Sequence, residues 1–264
     1  MIRILSILAL GVVVTLLAGC DGNQSDKPVW EGIKIGDLAP SDDGTGPGDR
    51  VLKTINFDVF IFEIPSENMG TFDDLWQKVY TRPLQFSDYD AFRASSFLAG
   101  FGQIKVWNEV AGLLDAAGAR KVNTVSLLLL PGQNGDVAVA GLYREQEVYF
   151  SRRGSMEGVT VGPGRLVLRI GADRIGGSRG VCSVTVVPVL SRPGRTYLGA
   201  GEKWGDFVFD SVGFRLKMSP GDFVFLGPEK YCSDRVNLGS LFFSRPGPVP
   251  VVRAFLLLCT GVNY

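Results

Sequence analysis

"LKMSPGDFVFLGP", residues 216–228, joins two apolar runs through a tight turn. Leu216 and Met218 share one face with Phe214, while Arg215 and Lys217 alternate onto the other, the period-2 pattern of a half-buried strand. Ser219-Pro220-Gly221-Asp222 supplies the turn: Pro220 presets φ near −65° at its second position, and Gly221 tolerates a positive φ at its third. The stretch predicts the tip of a β-hairpin.

Similar strand signals surround it. Upstream, "VLKTINFDVFIFEIP" (51–65) alternates Ile55, Phe57, Val59 and Ile61 with Asn56 and Asp58, then turns apolar on both sides until Pro65 ends it. "KVNTVSLLLLPGQNGDVAVAGLYREQEVYF" (121–150) gives strands separated by a Pro-Gly-Asn turn. "GVTVGPGRLVLRIGA", "RGVCSVTVVPVL" and the final "VPVVRAFLLLCTGV" (249–262) add more. Glycine makes up 34 of 264 residues, about 13% against a usual ~7%, as expected of many turns between strands.

Two helices are expected. "TFDDLWQKVY" (71–80) has Thr71 at the N-cap position and acidic residues in its first turn, with an apolar stripe of Phe72, Leu75, Trp76 and Val79. The second covers Ile104 to Ala117, with Gly118 placed to take a left-handed C-terminal conformation. "FRASSFLAGFG" (92–102) between them reads as strand or extended loop, and no further helix is expected after Lys121. The fold class is therefore α+β, a mostly antiparallel β domain with two packed helices over residues 51–264.

Residues 1–19 are set apart as a signal peptide. Arg3 is followed by an uncharged run from Ile4 to Gly19, short for a spanning helix and suited to a signal core. "LLAGC" (16–20) resembles the bacterial lipoprotein signal, which implies acylation at Cys20 as the new N-terminus; the other reading is an ordinary secretory signal with an incidental cysteine. Several acyl chains, palmitate among them, at ~0.8 kcal/mol per CH₂ would hold the chain on a membrane. The implied location is the bacterial cell envelope, lipid-anchored and periplasm-facing, with outer or inner membrane undecided. Residues 20–50, polar and rich in Gly and Asp, read as a tether. Its "SDDGTGPGD" lacks the alternating ligands and closing Glu of a calcium loop.

Chemistry is hard to find. With no histidine, Ser-His-Asp and Cys-His arrangements and histidine metal sites are excluded. "GAGEKWGD" (199–206) lacks the spacing of a phosphate loop. Asp73-Asp74 and Glu145/Glu147 read as a helix start and a strand's solvent face, and Trp76, Trp107 and Trp204 as packing. Neither an enzyme, a cofactor nor a metal is expected. The 27 basic and 27 acidic residues cancel, which gives no reason to expect nucleic acid as a partner. Cys182, Cys232 and Cys259 permit one disulfide and a leftover thiol, or three buried apolar residues in strands, and the second reading is preferred.

The order of elements is similar to the core β domain of secretins, the ring-forming outer-membrane channels of bacterial secretion and pilus systems. "FDVFIFEIPSENMGTFDDLW" stands for that family's opening strand and helix. "VTVGPGRLVLRIGADRI" and "VCSVTVVPVL" stand for its strand pair, "SPGDFVFLGP" for its hairpin, and "VNLGSLFF" with "VPVVRAFLLLCTGV" for its closing segments. The resemblance covers about four-fifths of the chain. It implies a structural or assembly role in the envelope, as a component of protein secretion or a pilus channel, by assembly with itself or with secretion-complex proteins. The alternative is a monomeric binding or scaffold lipoprotein without a pore. The chain departs from the pattern at Gly227-Pro228, in lacking a Pro before "LGSLF", and in the little room between Phe150 and Val159 for a gate hairpin. These departures suit a reduced relative. "RAFLLLC" is expected to be sticky unless it lies centrally in its own sheet or another subunit covers it.

Overall fold

In strand β1 (Ile55–Pro65), Ile55, Phe57, Val59 and Ile61 project into one apolar cluster, and Phe60, Phe62 and Ile64 into another. A strand buried on both faces has to lie between two layers. The computed structural model, which describes residues 53–192, 205–232 and 237–263, has that layering.

The first sheet runs β3 (Phe97–Gln103), β12 (Asp222–Pro228), β14 (Val251–Val262), β1 and β4 (Arg120–Leu129), with β13 (Ser244–Arg245) beside the start of β14. The second runs β2 (Gln85–Phe86), β11 (Phe214–Met218), β9 (Cys182–Ser191), β8 (Gly164–Arg174) and β5 (Gln133–Leu142), with β10 (Phe207–Val208) on β9. Every pairing between these strands is antiparallel. The larger core lies between the sheets. Phe57, Val224 and Phe255 of the first sheet share it with Leu168, Val186 and Leu216 of the second.

The outer face of the first sheet carries the helices. Helix α1 (Met69–Asp73) runs on into a 3-10 turn at Asp74–Gln77, and α3 (Trp107–Ala116) lies alongside. Phe72, Leu75, Val79, Trp107, Val110 and Leu114 cover Phe223 and Phe225. This is an α+β fold of mostly antiparallel strands, as expected. Gly118 has φ +65°; its N–H reaches Asp115 at 2.7 Å and that of Ala119 reaches Leu114 at 2.8 Å, a Schellman ending for α3.

The opening stretch departs from its reading. The turn is as expected, with Gly221 at φ +88° and the Asp222 N–H donating to the Ser219 carbonyl at 3.0 Å. Its two strands do not pair, however. β11 pairs with β9 and β2, whereas β12 pairs with β14 and β3. The turn is an arch that carries the chain from one sheet to the other. Burial explains the choice: β11 is buried at alternate residues and fits an outer sheet, while β12 is buried on both faces.

Other details also shift. Thr71 lies inside α1, not at its N-cap; the flanking Asn68 makes no cap and instead donates from Nδ2 to the Ala117 carbonyl at 3.1 Å, tying the helix to the end of α3. Part of "FRASSFLAGFG" belongs to α2 (Tyr89–Ala94), capped by Asp88. A fourth short helix, α4 (Leu238–Phe243), forms after Lys121 from "LGSLFF"; the Asn237 side chain accepts from the Ser240 N–H at 2.7 Å and starts it. The span with little room for a hairpin is one: β6 (Gln146–Arg152) and β7 (Ser155–Val161) pair from end to end around Arg153-Gly154. Val148, Phe150 and Val161 anchor it in the inter-sheet core.

Candidate functional site

The final strand "VVRAFLLLCTGV" lies inside its sheet, between β12 and β1. Of the two routes open to that apolar segment, the fold takes the internal one. What remains open are the sheet edges, and they differ. The far edge of β3 is bridged at Phe101 by Tyr80 through reciprocal bonds of 2.7 Å, and β2 is two residues long. β4 and β5 are ten residues each. Among the described residues, β4 pairs only with β1 and β5 only with β8.

These two edges lie on one side of the sandwich because Leu130-Pro131-Gly132 joins them directly, with Gln133 N–H donating to Leu130 at 2.9 Å. Charged residues usually guard such edges. Here Arg120 and Lys121 guard only the start of β4, and Val122–Leu129 contains none; Leu128 is 68% exposed. On β5 the only charge is Asp136, which is held by Arg169.

An ionic cluster lies at the other end of the β4 edge, where β4 begins. Arg253 donates to Glu63 Oε1 from Nε at 3.0 Å and Nη2 at 2.9 Å, and Arg120 lies 3.5 Å from Oε2. Glu63 and Arg253 are direct partners on β1 and β14. Arg253 also reaches across the sheets to the carbonyl of Val139, at a bulge in β5, at 3.2 Å. Arg245 donates to the same carbonyl at 2.8 Å and to those of Leu241 and Phe242 at 3.1 and 3.3 Å, closing the C-terminal end of α4. Burial, then the Arg253 charge, pushes the Arg245 guanidinium down to about 10, so it stays a cation at neutral pH. Sequence reasoning missed this cluster. Its signal was a lone acid in "FIFEIP" and a lone base in "VVRAF", two charges in apolar strands that had to find each other.

The residues weighed from sequence are scattered. Cys20, the signal segment, the tether and Trp204 lie outside the described residues. Asp73 and Asp74 are exposed where α1 becomes the 3-10 turn, and desolvation, then the Asp74 charge, raises the Asp73 carboxyl. Glu145 and Glu147 are on the surface, and a bond to Glu147 raises the Tyr149 phenol. Trp76 and Trp107 pack with the helices on the first sheet. The dent between Phe60, Trp107, Phe223 and Leu256 has about 10 Å³ of free space, room for one water at most. Among the described residues no group of three or more acidic or cysteine side chains is arranged to hold a metal, and no helix is long and apolar enough to cross a membrane.

No family model matches the chain, and no curated protein matches it. Among solved structures it is similar to the InvG secretin domain β-barrel from the Salmonella SPI-1 injectisome needle-complex base, at 10% identity and a TM-score of 0.24. The likeness covers 80% of this chain and 64% of that one, so the chain spans less than two thirds of that structure.

Proposed function

We propose that the protein is a non-enzymatic, lipid-anchored component of the bacterial envelope, held by acylated Cys20, whose secretin-like domain assembles with copies of itself through the open edges β4 and β5. The observation that carries the assembly step is the pair of ten-residue strands, unpaired along one side among the described residues and nearly free of charge. Such edges are templates for an added strand, and closing them removes unpaired backbone groups. The order of the sequence motifs supports a role in protein secretion or a pilus channel. The "LLAGC" segment supports the anchor.

A second reading is favoured by one observation. Because β14 is internal, the chain covers its most apolar strand without help, which suits a monomeric scaffold that binds another envelope protein. Detergent extraction followed by native mass spectrometry separates the two. A closed homo-oligomer that retains acyl chains on Cys20 supports assembly. A strict monomer at micromolar concentration overturns it, and one stoichiometric foreign partner supports the scaffold.

A further inference from the structure

Two of the three described cysteines share the inter-sheet core although their strands belong to different sheets. Cys182 begins β9, opposite Met218 on β11, and its Sγ donates to the Met218 carbonyl at 3.5 Å. Cys259 lies on β14, and its carbonyl accepts from the N–H of Gly221 at 2.8 Å. Met218 is one foot of the arch, and Gly221 is its last residue before the other foot, Asp222. Only Ser219, Pro220 and Gly221 lie between the two strands here, so the two cysteines flank one short connection between the layers. Both side chains are fully buried, as free thiols, in the same inter-sheet core beside the two ends of this arch. Cys232 is half-buried elsewhere, its N–H beside Ser244.

We propose that Cys182 and Cys259 form a disulfide that bolts the two sheets together at the arch when the protein folds in an oxidising compartment. This rests on the exported location proposed above. The step is thiol–disulfide exchange. The thiolate of one cysteine attacks a disulfide of a thiol oxidoreductase or of oxidised glutathione, forming a mixed disulfide and releasing one thiol. The second cysteine attacks its partner's sulfur and expels the second thiol. Two protons and two electrons pass to the oxidant, and the protein loses two hydrogens. Once the core is closed the thiols are sealed from any oxidant, so the exchange belongs to folding. The bond would close a loop between positions 77 apart, long enough for a large effect on the unfolded chain.

The test is peptide mass spectrometry without reduction, on full-length protein from the envelope fraction of cells quenched with acid and alkylated. The expected result is a cross-linked peptide pair containing Cys182 and Cys259, two hydrogens lighter than its parts, with Cys232 alkylated. Alkylated Cys182 and Cys259 in an envelope-located protein overturn the proposal. A second arm does not depend on location. The Cys20→Ser chain is unfolded and refolded in a glutathione redox buffer. The same pair is expected there, even if fractionation finds the native protein in the cytoplasm and so removes the location. Pairing through Cys232, or none, overturns it. Protein refolded in the redox buffer should melt ~10 °C above the same chain refolded in dithiothreitol. A Cys182→Val/Cys259→Val chain should show no such difference.

Discussion

Met218 and Asp222, four positions apart, belong to different sheets: Met218 faces Cys182 on β9, and Asp222 faces Gln103 on β3. The arch between them depends on Gly221, whose φ of +88° an L side chain adopts only with strain. A Cβ there would meet nothing closer than Ile104 at 4.0 Å, so the cost of Gly221→Ala is conformational only. Urea denaturation should show a loss of about 1 kcal/mol with an unchanged slope.

Gly102 of β3 gives a steric prediction. A Cβ at Gly102 would lie 2.2 Å from the Phe223 ring, which packs edge-on against Trp107 at 5.8 Å. Gly102→Ala should cost about 3 kcal/mol by overpacking, and Phe223→Ala about 4 kcal/mol by leaving a cavity. Together they should cost well under the sum, because the second change removes the atoms that the first strikes. A double-mutant cycle in denaturant reads this coupling.

Among the described residues Glu63 is the acid paired with both Arg120 and Arg253, and it is 15% exposed. Glu63→Gln leaves Arg253 and Arg120 without a charged acceptor, and should lower the unfolding free energy by about 2 kcal/mol. Glu67→Gln, on the exposed 3-10 turn beside it, should change stability by less than about 0.5 kcal/mol.

Arg169 holds Asp136 through Nε and Nη2, both at 2.7 Å, and Asp206 through Nη2 at 2.7 Å. Its hydrogen bond is the first cause that lowers the Asp206 carboxyl below its ordinary range. A carboxylate depressed in the folded state adds stability above its unfolded pKa, near 4, and loses it as pH falls through the lower folded value. Arg169→Met should therefore cost about 1 kcal/mol at pH 7, modest because the site is partly solvated. The gap to the parent should stay level down to about pH 5 and narrow below pH 4. Thermal melts from pH 3 to 7 check both the size and the direction.

Strand by strand, most of the architecture was legible. Alternation in "INFDVFIFEIP" placed β1, and the α1 and α3 stripes found their burial partners, but that β1 lies between two layers was not read from its doubly apolar second half. The pairing of "FRLKM" with "DFVFLGP" was not legible. A Pro-Gly turn specifies local dihedral angles, and the same angles serve a hairpin or an arch. Which one forms is set by strands far away, β9 and β14. Helix α4 escaped because six residues are under two turns, too few for a period; only its Asn237 cap could have marked it. In the candidate site, the single residues Glu63, Arg245 and Arg253 were visible, but their convergence on Val139 depends on a bulge in a neighbouring sheet.

Hydrogen exchange on the detergent-extracted particle, followed over a dilution series, tests the central claim most directly. Amides of 255–258 should be among the slowest at every concentration, because there β14 is paired on both sides within its own sheet. Those of 120–129 and 133–142 should be protected in the assembled particle and exchange faster as it dissociates. Fast exchange of 255–258 in the dissociated chain, or edges equally protected in both states, would contradict the account.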